Sequence, residues 1–227
     1  MENLPVLLYA GFILTLFATL YFFFRAARWA RWLMVGTMAW TIVQGIVSAT
    51  GFYEISDTLP PRFALLLGPP LILMAISFLT RSGKRWIDGL SLRTLTILHV
   101  IRVPVELILF TIFLHKGIPE MMTFEGRNLD ILSGISAPLV YYFGLVKKKL
   151  NKTIILAWNF ICLGLLINIV GIAILTAPFR FQQFGFEQPN IAVLQFPFTW
   201  LPAVIVPIVL FSHLVSIRRL TSKSNTL

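Results

Sequence analysis

Seven apolar stretches constrain this chain more than any other feature, at residues 7–24, 32–50, 63–79, 95–114, 130–146, 153–175 and 194–217. A helix needs about 20 apolar residues to cross a bilayer, with a range near 17 to 25, and each stretch meets or approaches that length. Composition agrees: 57% of residues are hydrophobic and 12% charged, against about 25% charged in ordinary soluble domains. The expected fold is an all-α integral membrane protein, a single seven-helix transmembrane domain over residues 1–227. The third and fifth stretches are the weakest, the third because it is short and holds Pro69 and Pro70, the fifth because it holds Ser133, Ser136 and Pro138.

The net charge of +10 would suit a nucleic-acid partner if it were gathered on one segment, but the cations sit in short clusters between apolar runs, so no nucleic-acid partner is expected. Their placement reports topology. With the N-terminus outside, Arg25, Arg28, Arg31, Arg81, Lys84, Arg85, Arg93, Lys147, Lys148, Lys149, Lys152, Arg218, Arg219 and Lys223 fall inside. Arg62, Lys116, Arg127 and Arg180 fall outside, and Arg102 lies within a span. Lys and Arg in short loops set orientation, so seven spans with N outside and C cytoplasmic follow, in a plasma (inner) membrane. Trp29, Trp32 and Trp86 stand beside the inner clusters, where amphipathic rings favour the headgroup region.

The lone Cys162 excludes an intrachain disulfide and reads as a packing residue. The N-terminal MENLPVLLYAG lacks the positive region of a cleavable signal, so the first apolar run is expected to be retained. Two longer segments on the outer side, HKGIPEMMTFEGRN and APFRFQQFGFEQPN, read as caps over the mouth of the bundle. In the first, His115, Glu120, Glu125, Arg127 and Asp130 suggest a salt-bridged lid. No internal repeat is visible, which weighs against an inverted-repeat transporter.

The fourth stretch carries HVIRVPVE, residues 99–106. At about 100° per residue, Arg102 lies roughly 60° from His99 and Glu106 about 20° from it, so all three share one stripe. A charged residue at mid-membrane costs about 2.5–3.5 kcal/mol even on the lenient insertion scale, so the stripe is expected to face the interior, with Arg102 and Glu106 neutralising each other at i,i+4 spacing. Pro104 frees the carbonyl of Val100 and is expected to kink the helix. The bland reading is a structural ion pair with His99 hydrogen-bonded nearby. The functional reading takes an intramembrane ionisable cluster as a site.

His99 and His213 stand at similar depth in antiparallel spans, roughly 9 Å and 7.5 Å from Arg93 and Arg218 at 1.5 Å per residue. Neutral imidazole is an axial haem ligand, so His99 and His213 are candidate axial ligands of a haem b, with Arg102 compensating propionate charge and Glu106 holding Arg102. Asn159, in the same third of its span, joins the expected cofactor-binding set. Gln44, Asn168, Tyr141, Tyr142 and Thr199 are further polar candidates for the interior. Trp40, Trp158 and Trp200 are rings that pack helices or a planar cofactor.

Seven spans in this orientation resemble the layout of the rhodopsins and the G-protein-coupled receptors, and imply a ring of helices by layout alone. Covalent retinal is not expected, because the last span, FPFTWLPAVIVPIVLFSHLVSI, has no lysine. The seven-span zinc hydrolases pair histidines closely on their last span, whereas His213 stands alone. The leading expectation is a non-catalytic membrane protein binding a small ligand or cofactor, haem b being the most specific candidate, for electron transfer or redox and gas sensing. The alternative is a small proton-coupled transporter using His99, Arg102 and Glu106. An intramembrane enzyme using Glu106 as acid or base is the third reading, and no nucleophile motif supports it. The lipid bilayer is the expected partner, with room for a homo-oligomer or a membrane partner.

Overall fold

A computed structural model describes residues 4–58 and 60–222. Lys223, counted above with the inner charges, lies outside the described residues. Among them, all regular structure is helical: α1 (Val6–Ala26), α2 (Arg31–Ala49), α3 (Ala64–Leu79), α4 (Arg81–Asp88), α5 (Leu92–Leu98), α6 (Arg102–Leu114), α7 (Ile131–Leu139), α8 (Lys152–Thr176) and α9 (Val206–Thr221).

Each apolar stretch has a helical counterpart, and among the described residues five helices are long and apolar enough to cross a membrane: Val6–Ala26, Arg31–Ala49, Leu92–Leu114, Lys152–Thr176 and Leu201–Thr221. The count reaches six if α3 and α4, bent by 92° where they meet, form one broken span. The two stretches that fall short are those weakened by proline and serine. At 16 residues, α3 is about 24 Å long against a hydrocarbon thickness near 30 Å. It stops at Thr80, whose extended backbone ends one helix and whose side chain caps the next by accepting from Gly83 N–H. Ile131–Val146 is the other short apolar helix; it turns π-helical over Val140–Val146, soon after Pro138.

The burial pattern is that of a protein solvated by lipid. In α2 the buried side is Thr41, Gln44, Gly45 and Ser48, while Val35, Ile42, Val43 and Ile46 are exposed. Membrane helices meet through such small and polar residues, since apolar side chains gain nothing by leaving lipid for protein. The stripe receives the start of the last span: Thr199 Oγ1 donates to Ser48 Oγ at 2.7 Å, and Trp200 Nε1 donates to the carbonyl of Thr41 at 2.8 Å. Gly45 is required here, because an added Cβ would fall 2.8 Å from the Trp200 ring. Gln44 accepts from the phenol of Tyr53, whose burial pushes its ionisation above the usual tyrosine range.

Proline shapes the helices around the site. Pro207 lacks an N–H for the carbonyl of Ala203, and Trp40 Nε1 takes that carbonyl at 2.9 Å. Likewise Pro104 leaves the Val100 carbonyl without its helical donor. A 3-10 turn over His99–Ile101 stands between α5 and α6, one turn upstream of the proline, within a helix that runs on over Leu92–Leu114.

Leu201–Thr221 is the most enclosed of the long helices and packs against α3, α5 and α8, while α1 lies along α5 and α6. At one end of the bundle the two long loops bind each other. The Gly117 carbonyl accepts from the N–H groups of Ile191 and Ala192, and Gln188 donates to the carbonyls of Phe113 and Ile118. Ile118, Met122, Asn128, Asn190 and Ala192 are buried beneath this cap.

Candidate functional site

Arg102 opens α6 and is 2% exposed. Three elements supply its partners. From the loop before α7, Asp130 brings Oδ2 to 2.7 Å from Nε, an ion pair in which both side chains are almost wholly enclosed. From α9, His213 Nε2 stands 3.2 Å from Nη1. From α8, the Cys162 carbonyl accepts from Nη1 and Nη2 at 3.4 Å each. The i,i+4 pair with Glu106 expected from spacing does not form. Two residues of one loop divide it, Asp130 taking Arg102 while Asn128 Nδ2 donates to Glu106 Oε2 at 2.6 Å.

Asn128 ties this arrangement together. Its Nδ2 also donates to the Met122 carbonyl at 3.0 Å, and its Oδ1 accepts from the Asp130 N–H at 3.0 Å. Ser133 Oγ donates to Asp130 Oδ1 at 3.4 Å. Close approach of α7 depends on Gly134, where an added Cβ would fall 2.8 Å from Val103 Cγ2 and 3.3 Å from Arg102 Cβ. The expected salt-bridged lid is therefore corrected. Asp130 turns inward to the site and pairs with Arg102.

The network fixes a tautomer. A guanidinium only donates, so His213 Nε2 is the acceptor and Nδ1 carries the proton. Nδ1 then donates to Asn159 Oδ1 at 3.0 Å. Asn159 Nδ2 donates to the Ile155 carbonyl at 2.9 Å, which orients the amide. Donors therefore run in one direction, from Arg102 through His213 and Asn159 to the backbone of α8.

His99 stacks on this chain without joining it. Its ring lies 3.8 Å from that of His213 at an interplanar angle of 17°, with Trp158 edge-on at 5.6 Å. Both nitrogens of His99 are buried and have no hydrogen-bond partner, so the bonded histidine of the bland reading is not what the fold provides. Face-to-face rings direct their lone pairs sideways, leaving no place for one iron between them.

The site borders a cavity of about 70 Å³, lined by Glu106 and Asp130 and otherwise by apolar groups, among them Leu109, Met122, Leu166 and Val206. That is room for a few waters, since about 10–15 Å³ of such space holds one, and it is below the roughly 300–1,000 Å³ of ordinary ligand pockets. Among the described residues, no three His, Cys, Asp or Glu side chains converge as a metal-ligand set.

The structure thus gathers His99, Arg102, His213 and Asn159 into one contact network, and joins Glu106 to it through Asn128. Gln44 and Thr199 are buried elsewhere, between α2 and the start of the last span. Asn168 and Tyr142 are exposed, and Asn168 donates to the Arg127 carbonyl. Sequence reasoning missed Asn128 and misplaced Asp130. The available signal was Asn-Leu-Asp immediately before an apolar helix, a position where Asn and Asp side chains bond nearby backbone groups.

No curated protein and no solved structure matches this chain. One family model does, that of the Domain of unknown function (DUF8737), over residues 59–221. The matched segment includes every residue of the network just described and leaves out α1 and α2. The chain belongs to the DUF8737 family.

Proposed function

We propose that this protein is a small proton-coupled carrier of the plasma membrane, with Glu106 as the group that takes up and releases the proton. One observation carries the reading. Arg102 is committed to Asp130, His213 and the Cys162 carbonyl, so Glu106 faces a cavity with only an amide donor. With both histidines neutral, one guanidinium stands against two carboxyl groups. Such clusters favour neutrality in a membrane interior, and the missing positive charge is a proton on Glu106 or a small cation beside it. Exchange between these two states is the elementary step of a coupled carrier. The Arg102–Asp130 pair and the His213–Asn159 chain serve as a fixed frame around it.

The proposed topology has seven spans with N outside and C cytoplasmic, counting the bent α3 and the short Ile131–Val146 as full crossings. The cation clusters at the ends of α1, α5, α8 and α9 support it. The test is proton movement in proteoliposomes holding a pH-sensitive dye, driven by sodium, potassium or ammonium gradients. A cation-dependent signal lost in Glu106→Gln is expected, and an equal signal in the two proteins would remove Glu106 from the mechanism.

A second reading keeps haem b, on His99 alone. Its support is that both nitrogens of that buried ring are unpartnered, so a lone pair is uncommitted. His213 is less suited, since Arg102 occupies its Nε2. A Soret band that shifts on reduction and is lost in His99→Ala is the expected sign of this reading, and a featureless spectrum after haem supplementation would dismiss it.

A further inference from the structure

At the end of the bundle opposite the loop cap, a cavity of about 560 Å³ opens where α1 ends and α5 begins. Arg25, Arg28, Arg93, Lys148 and Arg219 line it, and among the described residues Asp88 is the one acidic side chain that does. That acid is already paired: Arg218 Nε and Nη2 donate to its two oxygens at 3.0 Å each. Four arginines, Arg25, Arg28, Arg93 and Arg219, therefore border a concavity whose carboxylate is neutralised from another direction. The bias of Lys and Arg toward inner loops explains their number, but not why residues from four distant parts of the chain converge on one hollow.

One further feature points to a built site. Arg219 donates through Nη1 to the Leu90 carbonyl, yet its buried Nε has no partner. The volume suits a headgroup-sized ligand. Tryptophans 29, 32 and 86 flank this end, at the level where rings meet lipid headgroups.

We infer that this cavity binds a phosphate group, borne by an anionic phospholipid of the adjacent leaflet or by a small soluble phosphate compound. Arginine forks match phosphate oxygens pairwise, and basic hollows between membrane helices suit anionic headgroups. The site is independent of Glu106 and stands whether or not the carrier reading does.

Thermal unfolding of the full chain in neutral detergent tests it, read by labelling of Cys162, the single cysteine, which is buried in the fold. The probes are phosphatidylglycerol, phosphatidylcholine and inorganic phosphate. Phosphatidylglycerol or phosphate is expected to raise Tm by a few degrees, and phosphatidylcholine to leave it unchanged. At least half the rise should vanish in Arg28→Gln and Arg93→Gln, and persist in Arg81→Gln, which lies outside the cavity. A rise with phosphate as well as lipid assigns a soluble source; a rise with lipid alone assigns the headgroup. Absence of any rise, or an equal loss in Arg81→Gln, would overturn the inference. Native mass spectrometry of the wild-type protein needs no variant: preferential retention of phosphatidylglycerol supports the site, and equal retention of both lipids together with no phosphate shift overturns it.

Discussion

Arg102 is the residue on which the interior turns, because among the described residues it is the one buried cation. Removing one partner of a buried pair strands the other, at a cost of about 3–5 kcal/mol, whereas replacing both by apolar groups is often neutral. Asp130→Ala is therefore expected to lose stability of that order, and Arg102→Met with Asp130→Leu to regain most of it, as read by unfolding in detergent. An additive double variant would show the pair to be incidental. The stripe of His99, Arg102 and Glu106 was legible in the sequence from helical periodicity and the penalty on mid-membrane charge. The choice of Asp130 over Glu106 was not. It depends on how a loop 24 to 28 residues further on folds back, a distance periodicity does not reach.

At the scale of elements, glycine and proline decide how the site is assembled. Gly134 lets α7 lie against Arg102 and Val103, and a methyl group there must displace the Val103 main chain as well as a side chain. Overpacking of this kind costs about 1–3 kcal/mol, so Gly134→Ala is expected to destabilise by that amount and to loosen Asp130. Gly164→Ala, with open space at its Cβ position, is the matched control and is expected to change little. Equal losses in the two would assign the effect to helix propensity or lipid contact. Pro104 was readable as freeing the Val100 carbonyl, and the 3-10 turn over His99–Ile101 sits at that carbonyl. The bend at Thr80 was not legible: the third stretch read as weak for its length and for Pro69 and Pro70, whereas the chain turns at Thr80, where the polar run RSGKRWID begins.

Across the whole molecule, apolar length carried the class, a helical membrane protein, from sequence; of the seven stretches expected to span, five are helices long and apolar enough to cross among the described residues. What remained hidden was which helices touch. His99 and His213 meet because α5 and α9 are neighbours, and equal depth alone does not require that. The proposed topology has a direct test in single cysteines placed on a Cys162→Ser background. Glu125→Cys is expected to react with a membrane-impermeant maleimide added outside intact cells, and Lys147→Cys only after lysis. The reverse pattern would invert the orientation, and equal labelling of both would reject the seven-span count.

The central claim is that Glu106 exchanges a proton inside a frame held by Arg102 and Asp130. Infrared difference spectroscopy of the lipid-reconstituted protein over a pH titration reads this without knowledge of any substrate. A protonated-carboxyl band that rises and falls with pH is expected, shifted in Asn128→Ala, which removes the amide donor to Glu106, and absent in Glu106→Gln. A titrating band that survives unchanged in Glu106→Gln, or no titrating carboxyl in the wild-type protein, would contradict it.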